Sequence, residues 1–358
     1  MAANTPPVER KAMNAIDPGL SNGELRYVND DEPGITRRRR GKGFGYLRAS
    51  GKPVRRTSEI ARIKALAIPP AWTDVWICDD PGGHIQATGR DQKGRKQYRY
   101  HDLWHADRGK AKYALMPDFA ASLPRLRKIV DADLRRQGTP REKVLASIVW
   151  LLDNTMIRVG NDSYARDNKS FGLTTLRARH LEISGSRLHF AFKGKSGKQW
   201  DIEVADRRMA RVMRTIEDLP GQRLFRYRDG EGALHDLGSH DVNAYIREAI
   251  GERFSSKDFR TWGGTMRALS LLAEAEVPEA KTARARTLNG VIDAVSRRLG
   301  NTRAVCRACY IHPAVFEHWE QGKLAREVAD IRAARPRRKG LDAEETLTAA
   351  WLQRHAPR

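Results

Sequence analysis

Tyr310 closes the stretch LGNTRAVCRACY, Leu299 to Tyr310, in which a phenol follows arginine and amide donors. In a strongly basic chain that setting suits a tyrosine that attacks phosphate. Asn301 stands nine residues upstream, and three basic residues occupy distinctive contexts earlier: Arg158 in IRVGN, Lys195 in FKGKSGK and Arg260 in KDFRTWG. Phosphodiester transfer needs a nucleophile, donors for the charge on the non-bridging oxygens, and an acid for the departing oxygen. A phenol has a reference pKa of about 10 and is mostly protonated at neutral pH, so it needs cations that favour phenolate in the transition state. Two guanidiniums can grip a phosphate through forked hydrogen bonds.

Composition agrees with such a partner. The chain has 358 residues, is 40% hydrophobic and carries a formal charge of +22. It is long enough to bury a sizeable core in two or three domains. Phosphate is the commonest partner for so much Lys and Arg, although charge alone does not separate nucleic acid from an anionic membrane. The most apolar run, Ile148 to Leu152, is far too short to span a bilayer, so no membrane segment is expected. The first residues show neither a charged n-region nor an apolar h-region, so a location inside the cell is expected. Three cysteines, Cys78, Cys306 and Cys309, do not make a disulfide framework. Cys306 and Cys309 form a Cys-x-x-Cys pair without a second pair to complete a zinc site, and read as helix packing. No metal site and no cofactor are expected.

The elements that must position these residues follow from periodicity. Residues 1–40 are polar, end in Arg37 to Arg40, and read as a flexible, basic-ended arm. Residues 41–106 read as a small β-rich domain, with strand-like runs at Phe44 to Leu47, Val75 to Cys78, His84 to Thr88 and Gln97 to Tyr100, and one helix near Ser58 to Ala67. Residues 107–330 read as mainly helical. Thr139 as N-cap, Pro140 and Glu142 form a predicted capping box, and Leu145, Ile148, Val149, Leu152 and Met156 follow at helical spacing to deliver Arg158. Between Arg187 and Val204 the period falls to two, which predicts a hairpin with Lys195 at its tip. Turns are expected around Pro220 and Gly221, Gly230 to Gly232, and Gly263 and Gly264. Residues 331–358 read as a basic tail containing a short amphipathic stretch, Asp342 to Leu352.

In order, local context and the interval from Asn301 to Tyr310, the set Arg158, Lys195, Arg260, Asn301 and Tyr310 resembles the active site of type IB DNA topoisomerases, specifically the small poxvirus-like enzymes found in bacteria. The resemblance covers about residues 40 to 320. It implies an α+β protein: a small mainly-β N-terminal domain and a larger mainly-α catalytic domain of the type IB topoisomerase and tyrosine recombinase fold, with a β-hairpin. It implies relaxation of positive and negative supercoils through a 3'-phosphotyrosyl intermediate on Tyr310, without ATP or a required metal. Arg158 and Arg260 would hold the phosphate, Asn301 would donate to a non-bridging oxygen, and Lys195 would protonate the leaving 5' oxygen. Lys193 and Lys198 are rivals for that acid; Lys195 is favoured because it follows the turn glycine as the family lysine does. The poxvirus pattern has His where Asn301 stands, and Asn carries neither charge nor a transferable proton, so its role is confined to hydrogen bonding.

A second motif lies in the β-rich domain, from Gly89 to His101. Arg90, Lys93, Arg95 and Lys96 suit phosphate neutralisation, and Gln97 suits an adenine edge. Tyr98 and Tyr100 share one face of their strand and can rest on sugars or bases; the alternative is that both pack into the sheet. The resemblance implies DNA contacts from Gln97, Tyr98 and Tyr100, and from Tyr164, six residues after Arg158. The partner implied is supercoiled double-stranded DNA, the state a monomer, the location cytoplasmic and nucleoid-associated.

Two other readings compete. A tyrosine recombinase shares the catalytic domain but usually places His three residues before the second Arg and nine before the Tyr, where this chain has Lys257 and Asn301. A non-catalytic DNA-binding protein would satisfy the composition but has no need of the five-residue set.

Overall fold

The structure, a computed structural model, describes residues 25–41 and 43–355, apart from the side chains of residues 105–110, 163 and 164. The readings placed on residues 1–24 lie outside the described residues. The chain forms two compact units, Met1–Tyr113 and Ala114–Arg358. Residues 105–109, which look turn-like, are helical.

In the first unit, strands β1 (Ile35–Arg40), β2 (Gly43–Leu47), β3 (Thr73–Ile77), β4 (Ile85–Arg90) and β5 (Lys96–Tyr100) make an antiparallel sheet in the order β2-β1-β3-β4-β5. Helices α1 (Thr57–Ala65) and α2 (Asp102–Ala114) complete it. Ile35, Val75, Ile77 and Ala87 from the sheet close on Ile63 of α1 and on Val54. Full burial of each branched side chain contributes roughly 1.5–3 kcal/mol, enough to hold one face of the sheet against its helix.

This arrangement corrects the reading of Arg37 to Arg40 as the end of a flexible arm. The four arginines are most of β1, whose Ile35 is fully buried. Arg37 lies over the Phe44 ring, 4.2 Å from its centroid, and donates to the carbonyls of Ile68, Pro69 and Trp72 at 3.2, 3.0 and 2.7 Å. Long cationic side chains lay their stems on apolar surface and keep their heads polar, so a run of charge can still be a strand.

The second unit is built from α3 (Met116–Leu134), α4 (Arg141–Thr155), α5 (Asp162–Asn168), a three-stranded sheet β6 (Leu181–Ser184), β7 (Arg187–Lys193) and β8 (Gln199–Ala205), and α6 (Arg207–Glu217). A two-stranded ribbon follows, β9 (Arg226–Arg228) and β10 (Leu234–Asp236), then α7 (Ser239–Ile250), α8 (Ser256–Ala273), α9 (Lys281–Leu299) and α10 (Arg303–Cys309). The last helices are α11 (Pro313–Glu320), α12 (Leu324–Ala333) and α13 (Ala343–Arg354). Residues 143 to 149, 151 and 152 of α4 are all buried, which makes it the central helix of the unit.

Three expectations change here. The capping box at Thr139 does not form: Pro140 is extended (ψ 161), α4 starts at Arg141, and the Thr139 carbonyl instead accepts from the Arg228 amide at 3.1 Å. Gly263 and Gly264 are not a turn. They lie inside α8, both buried, where absent side chains let other segments approach the helix backbone. Finally, residues 331–358 are not merely a tail, because α12 runs to Ala333 and α13 is built into the core. Asp342 caps α13 by accepting from Glu345 N at 2.8 Å, and Trp351 and Leu352 are buried. Arg127 of α3 ties it down, forking to Asp153 of α4 at 2.7 and 3.0 Å and to Glu345 of α13 at 2.7 and 2.6 Å. Among the described residues no helix is long and apolar enough to cross a membrane.

Candidate active site

Arg158 follows the end of α4. Met156 adopts a left-handed conformation (φ 61) while its amide closes on the Leu152 carbonyl, so the chain leaves the helix axis abruptly. The next residues pair with residues 173 and 174, Leu173 N donating to Arg158 O at 2.9 Å and Thr174 N to Val159 O at 2.7 Å. Gly172 makes that approach possible: a Cβ there would fall 2.6 Å from the Arg158 carbonyl.

Arg260 projects from α8 and is almost fully buried. It donates through Nη1 to the Met156 carbonyl and through Nη2 to the Leu299 carbonyl, the latter at 2.6 Å, joining the ends of α4 and α9. Its Nε is buried and has no hydrogen-bond partner among the described residues. Burial pushes the Arg260 pKa below its ordinary value, opposed by the Tyr310 hydroxyl. Arg158 is lowered to about 10, first by burial and then by the charge of Arg260, and remains a cation at neutral pH.

The tyrosine segment begins where α9 stops at Gly300 (φ 57). A Cβ at Gly300 would lie 2.5 Å from the Trp200 ring, and one at Gly194 would meet the same ring at 2.5 Å. Trp200 of β8 thus wedges between the hairpin turn and the residue before Asn301. Asn301 is buried; its Oδ1 accepts from Arg158 Nη2, and its Nδ2 has no partner among the described residues. Thr302 accepts from Val305 N at 3.4 Å and starts α10, and Tyr310 follows that helix directly. The Tyr310 carbonyl accepts from Thr265 Oγ1 at 3.4 Å, and a Cβ at Gly264 would lie 2.6 Å from that carbonyl. Arg260 Cζ stands 5.1 Å from the centroid of the half-buried Tyr310 ring.

Lys195 occupies the tip of the β7–β8 hairpin, as its alternation predicts, and is exposed. The tip is closed by Gly194 N donating to Lys198 O at 2.7 Å. Lys198, one of its two rivals, donates through Nζ to the Asn301 carbonyl at 2.7 Å. The structure therefore gathers Arg158, Arg260, Asn301 and Tyr310 and lays the hairpin base against them through Trp200 and Lys198. The Cys pair divides: Cys306 is buried, with its thiol pKa pushed up by burial, while Cys309 is exposed.

In the first unit, the turn between β4 and β5 is organised by Asp91, which accepts from Lys93 N, Arg95 N and Arg95 Nε at 2.9, 3.0 and 2.8 Å and from Gln97 Nε2 at 2.9 Å. Hydrogen bonding from Arg95, aided by the backbone amides, holds Asp91 at about 2. Lys96 pairs with Asp30 at 2.6 Å, and Arg90 donates to Gly94 O at 3.0 Å. Tyr98 and Tyr100 do share a face, stacked at 5.8 Å, and Tyr98 is 42% exposed, so it does not pack into the core. Of the expected contacts, the Arg95 and Gln97 side chains are held by Asp91 and that of Lys96 by Asp30, with Lys96 and Gln97 on the edge strand β5, while Arg90, at the end of β4, stands 3.6 Å from Asp74. Position 164 lies on α5, and the Tyr164 side chain is outside the described residues.

Sequence reasoning did not single out Trp200, Gly264, Thr265 or Lys198 as positioning groups. The doubled glycine was visible as a signal, but read as a turn.

Residues 96–335, more than half of the chain, match the family model described as eukaryotic DNA topoisomerase I, catalytic core, and residues 43–91 match bacterial DNA topoisomerase IB, N-terminal domain. The DNA topoisomerase 1B of Acanthamoeba polyphaga mimivirus is 34% identical over 294 residues, which cover 80% of this chain and 88% of that one. The DNA topoisomerase 1B of vaccinia virus (strain Copenhagen) is 24% identical over 268 residues, covering 71% and 80%. These matches and the α+β architecture define a DNA topoisomerase, a DNA-binding isomerase. The chain belongs to the type IB DNA topoisomerase family, with an N-terminal domain of the bacterial kind.

Proposed function

We propose that this topoisomerase relaxes positive and negative supercoils by transient cleavage of one strand at Tyr310, without ATP or a required metal. The Tyr310 oxygen forms a bond to phosphorus, the bond from phosphorus to the 5' oxygen breaks, and Lys195 supplies the proton with which that oxygen leaves. Arg158, Arg260 and Asn301 bind the non-bridging oxygens, whose charge grows in the transition state. Storing the phosphodiester in a 3'-phosphotyrosyl bond leaves a 5' hydroxyl able to reverse the attack once the duplex has rotated. Tyr98, Tyr100, Gln97 and Tyr164 touch the duplex, and Arg90, Lys93, Arg95 and Lys96 add salt-dependent affinity. The protein acts as a monomer on supercoiled DNA in the nucleoid.

The observation that carries this reading is that Arg260, whose Cζ stands 5.1 Å from the Tyr310 ring centroid, and Asn301, bonded to Arg158, each keep a buried donor, Nε and Nδ2, without an acceptor among the described residues. Leaving a buried donor unsatisfied costs about 1–3 kcal/mol, and an anion bound there would recover it. Denaturing the protein on a labelled duplex and mapping the adduct tests the assignment. A peptide containing Tyr310 joined to a 3' phosphate is the expected product; an adduct on another residue, or relaxation without any adduct, overturns it.

A further inference from the structure

Three helices that follow Tyr310 in the chain bring a different chemistry together. His318 lies on α11, Glu327 on α12, and His355 is the residue that ends α13. His318 Nδ1 stands 2.9 and 3.0 Å from the two Glu327 oxygens, and His355 Nε2 is 3.4 Å from Glu327 Oε2. One ligand atom from each residue falls within 4.8 Å of the others. The three side chains are only 20, 22 and 21% exposed.

A His–Glu pair alone would need one imidazole. Here two imidazoles converge on one carboxylate, and Glu327 Oε2 already accepts from Trp351 Nε1 at 2.9 Å. His355 Nε2 is consequently buried without a hydrogen-bond partner among the described residues. Two imidazole nitrogens and a carboxylate oxygen are a donor set that zinc and its neighbours take readily. An ion that holds such donors at about 2.0–2.1 Å in tetrahedral geometry separates them by roughly 3.3 Å, and each imidazole nitrogen stands 2.9–3.4 Å from a Glu327 oxygen. The Trp351 bond orients the carboxylate, the support a metal ligand needs from its surroundings.

We propose that His318, Glu327 and His355 bind one divalent transition-metal ion of the zinc type, with water in the remaining position. The ion ties the end of α13 to α11 and α12. It is separate from the strand-cleavage chemistry, since all three ligands lie outside the Arg158, Lys195, Arg260, Asn301 and Tyr310 set. The sequence hides the site because its ligands are spaced by nine and then 28 residues on separate helices.

The test uses the full chain without a histidine tag, stripped with chelator and titrated with Co²⁺ while the visible absorption is followed. One equivalent should give a tetrahedral d–d band that Zn²⁺ abolishes, and the melting temperature should rise with added Zn²⁺. His318→Gln and His355→Gln, checked for folding by circular dichroism, should lose the band. Nitrogen chemical shifts of the wild-type histidines provide a readout independent of any variant: two imidazoles should shift on Zn²⁺ addition. No stoichiometric band, a band surviving in a folded His355→Gln protein, or a sulfur-to-cobalt charge-transfer band pointing to Cys306 and Cys309 would each overturn the site.

Discussion

Arg158 donates through Nη2 to the side-chain oxygen of Asn301, and this bond sets the direction of the Asn301 amide. With Oδ1 committed to a guanidinium, Nδ2 must face the other way, where it is buried without an acceptor among the described residues. One arginine therefore fixes the orientation of a neutral donor, while Arg260, bonded to the Met156 and Leu299 carbonyls, stands over the Tyr310 ring.

Replacing Tyr310 by Phe removes the oxygen proposed to attack and leaves the ring that faces Arg260. The variant is expected to bind duplex DNA in a gel-shift assay with wild-type affinity, and to show neither plasmid relaxation nor a covalent band after denaturation. A covalent band from this variant would refute the nucleophile.

Asn301→Ala deletes the donor proposed to meet the charged transition state, and cleavage should slow by about 10²–10³-fold, the usual loss for one such donor. Asn301→His restores an N–H in the same place and should retain activity, measured as single-turnover cleavage. A folded but inactive His variant would show that the amide's shape, rather than its donor, is what the site requires.

Lys195→Ala and Lys198→Ala separate proton donation from positioning. If Lys195 is the acid, its loss slows cleavage of an ordinary phosphodiester but is largely rescued by a 5'-bridging phosphorothiolate, whose sulfur leaves without a proton. Lys198, bonded to the Asn301 carbonyl, should give a defect that the sulfur substrate does not rescue. Rescue of the Lys198 variant alone would exchange the two roles.

Gly264→Ala places a Cβ 2.6 Å from the Tyr310 carbonyl, a backbone atom that cannot swing aside. It should destabilise the fold by about 1–3 kcal/mol in urea unfolding and lower cleavage with it. Gly263→Ala meets only the flexible end of Met156, at 2.5 Å, and gains helix propensity of up to about 1 kcal/mol, so its stability should stay near wild type. Equal losses from both would mean that the carbonyl contact is not the limiting one.

Burial, reinforced by the charges of His355 and His318, pushes His312 down to about 4. An imidazole depressed in this way supports the fold fully above its unfolded value of about 6.5, and the support is lost as pH falls through about 4, because the unfolded chain takes up the proton first. The loss should not exceed about 3 kcal/mol. His312 Nδ1 also caps α11 by accepting from Ala314 N at 3.2 Å, a task Asn can perform without titrating. Urea unfolding in chelator from pH 7 to 4 should therefore show a flatter slope for His312→Asn. His355 and Glu327 are present in both proteins, so an unchanged slope would assign the acid sensitivity to them.

Much of this protein is legible in its sequence. Alternation of apolar residues announced β7 and β8 and put Lys195 at their tip, because a strand's two-residue period survives any tertiary context. The interval from Asn301 to Tyr310 was legible for a similar reason: Gly300 and Thr302 are local signals for ending α9 and starting α10, and seven helical residues then carry the chain to the tyrosine. Other features misled because composition resembles something else. Four arginines looked like a solvated arm and are a strand, since alternate side chains can lie on apolar surface while their charges stay polar. The paired glycines looked like a turn and are a helix interior, since a missing Cβ serves close packing as well as backbone freedom.

By itself the sequence determined residue identity, local period and chain order, and with them the family, because motifs are read from neighbours within a few positions and from their order along the chain. Tertiary structure alone decided which partner each polar atom meets: Lys198 rather than Lys195 on the Asn301 carbonyl, Asp91 on Gln97, Trp200 between two glycines, and three helices converging at Glu327. Such pairings join positions up to 218 residues apart, as between Arg127 and Glu345, and no local period encodes them. They are set by how whole helices pack, where a single absent methyl group or buried carbonyl determines which segments can touch.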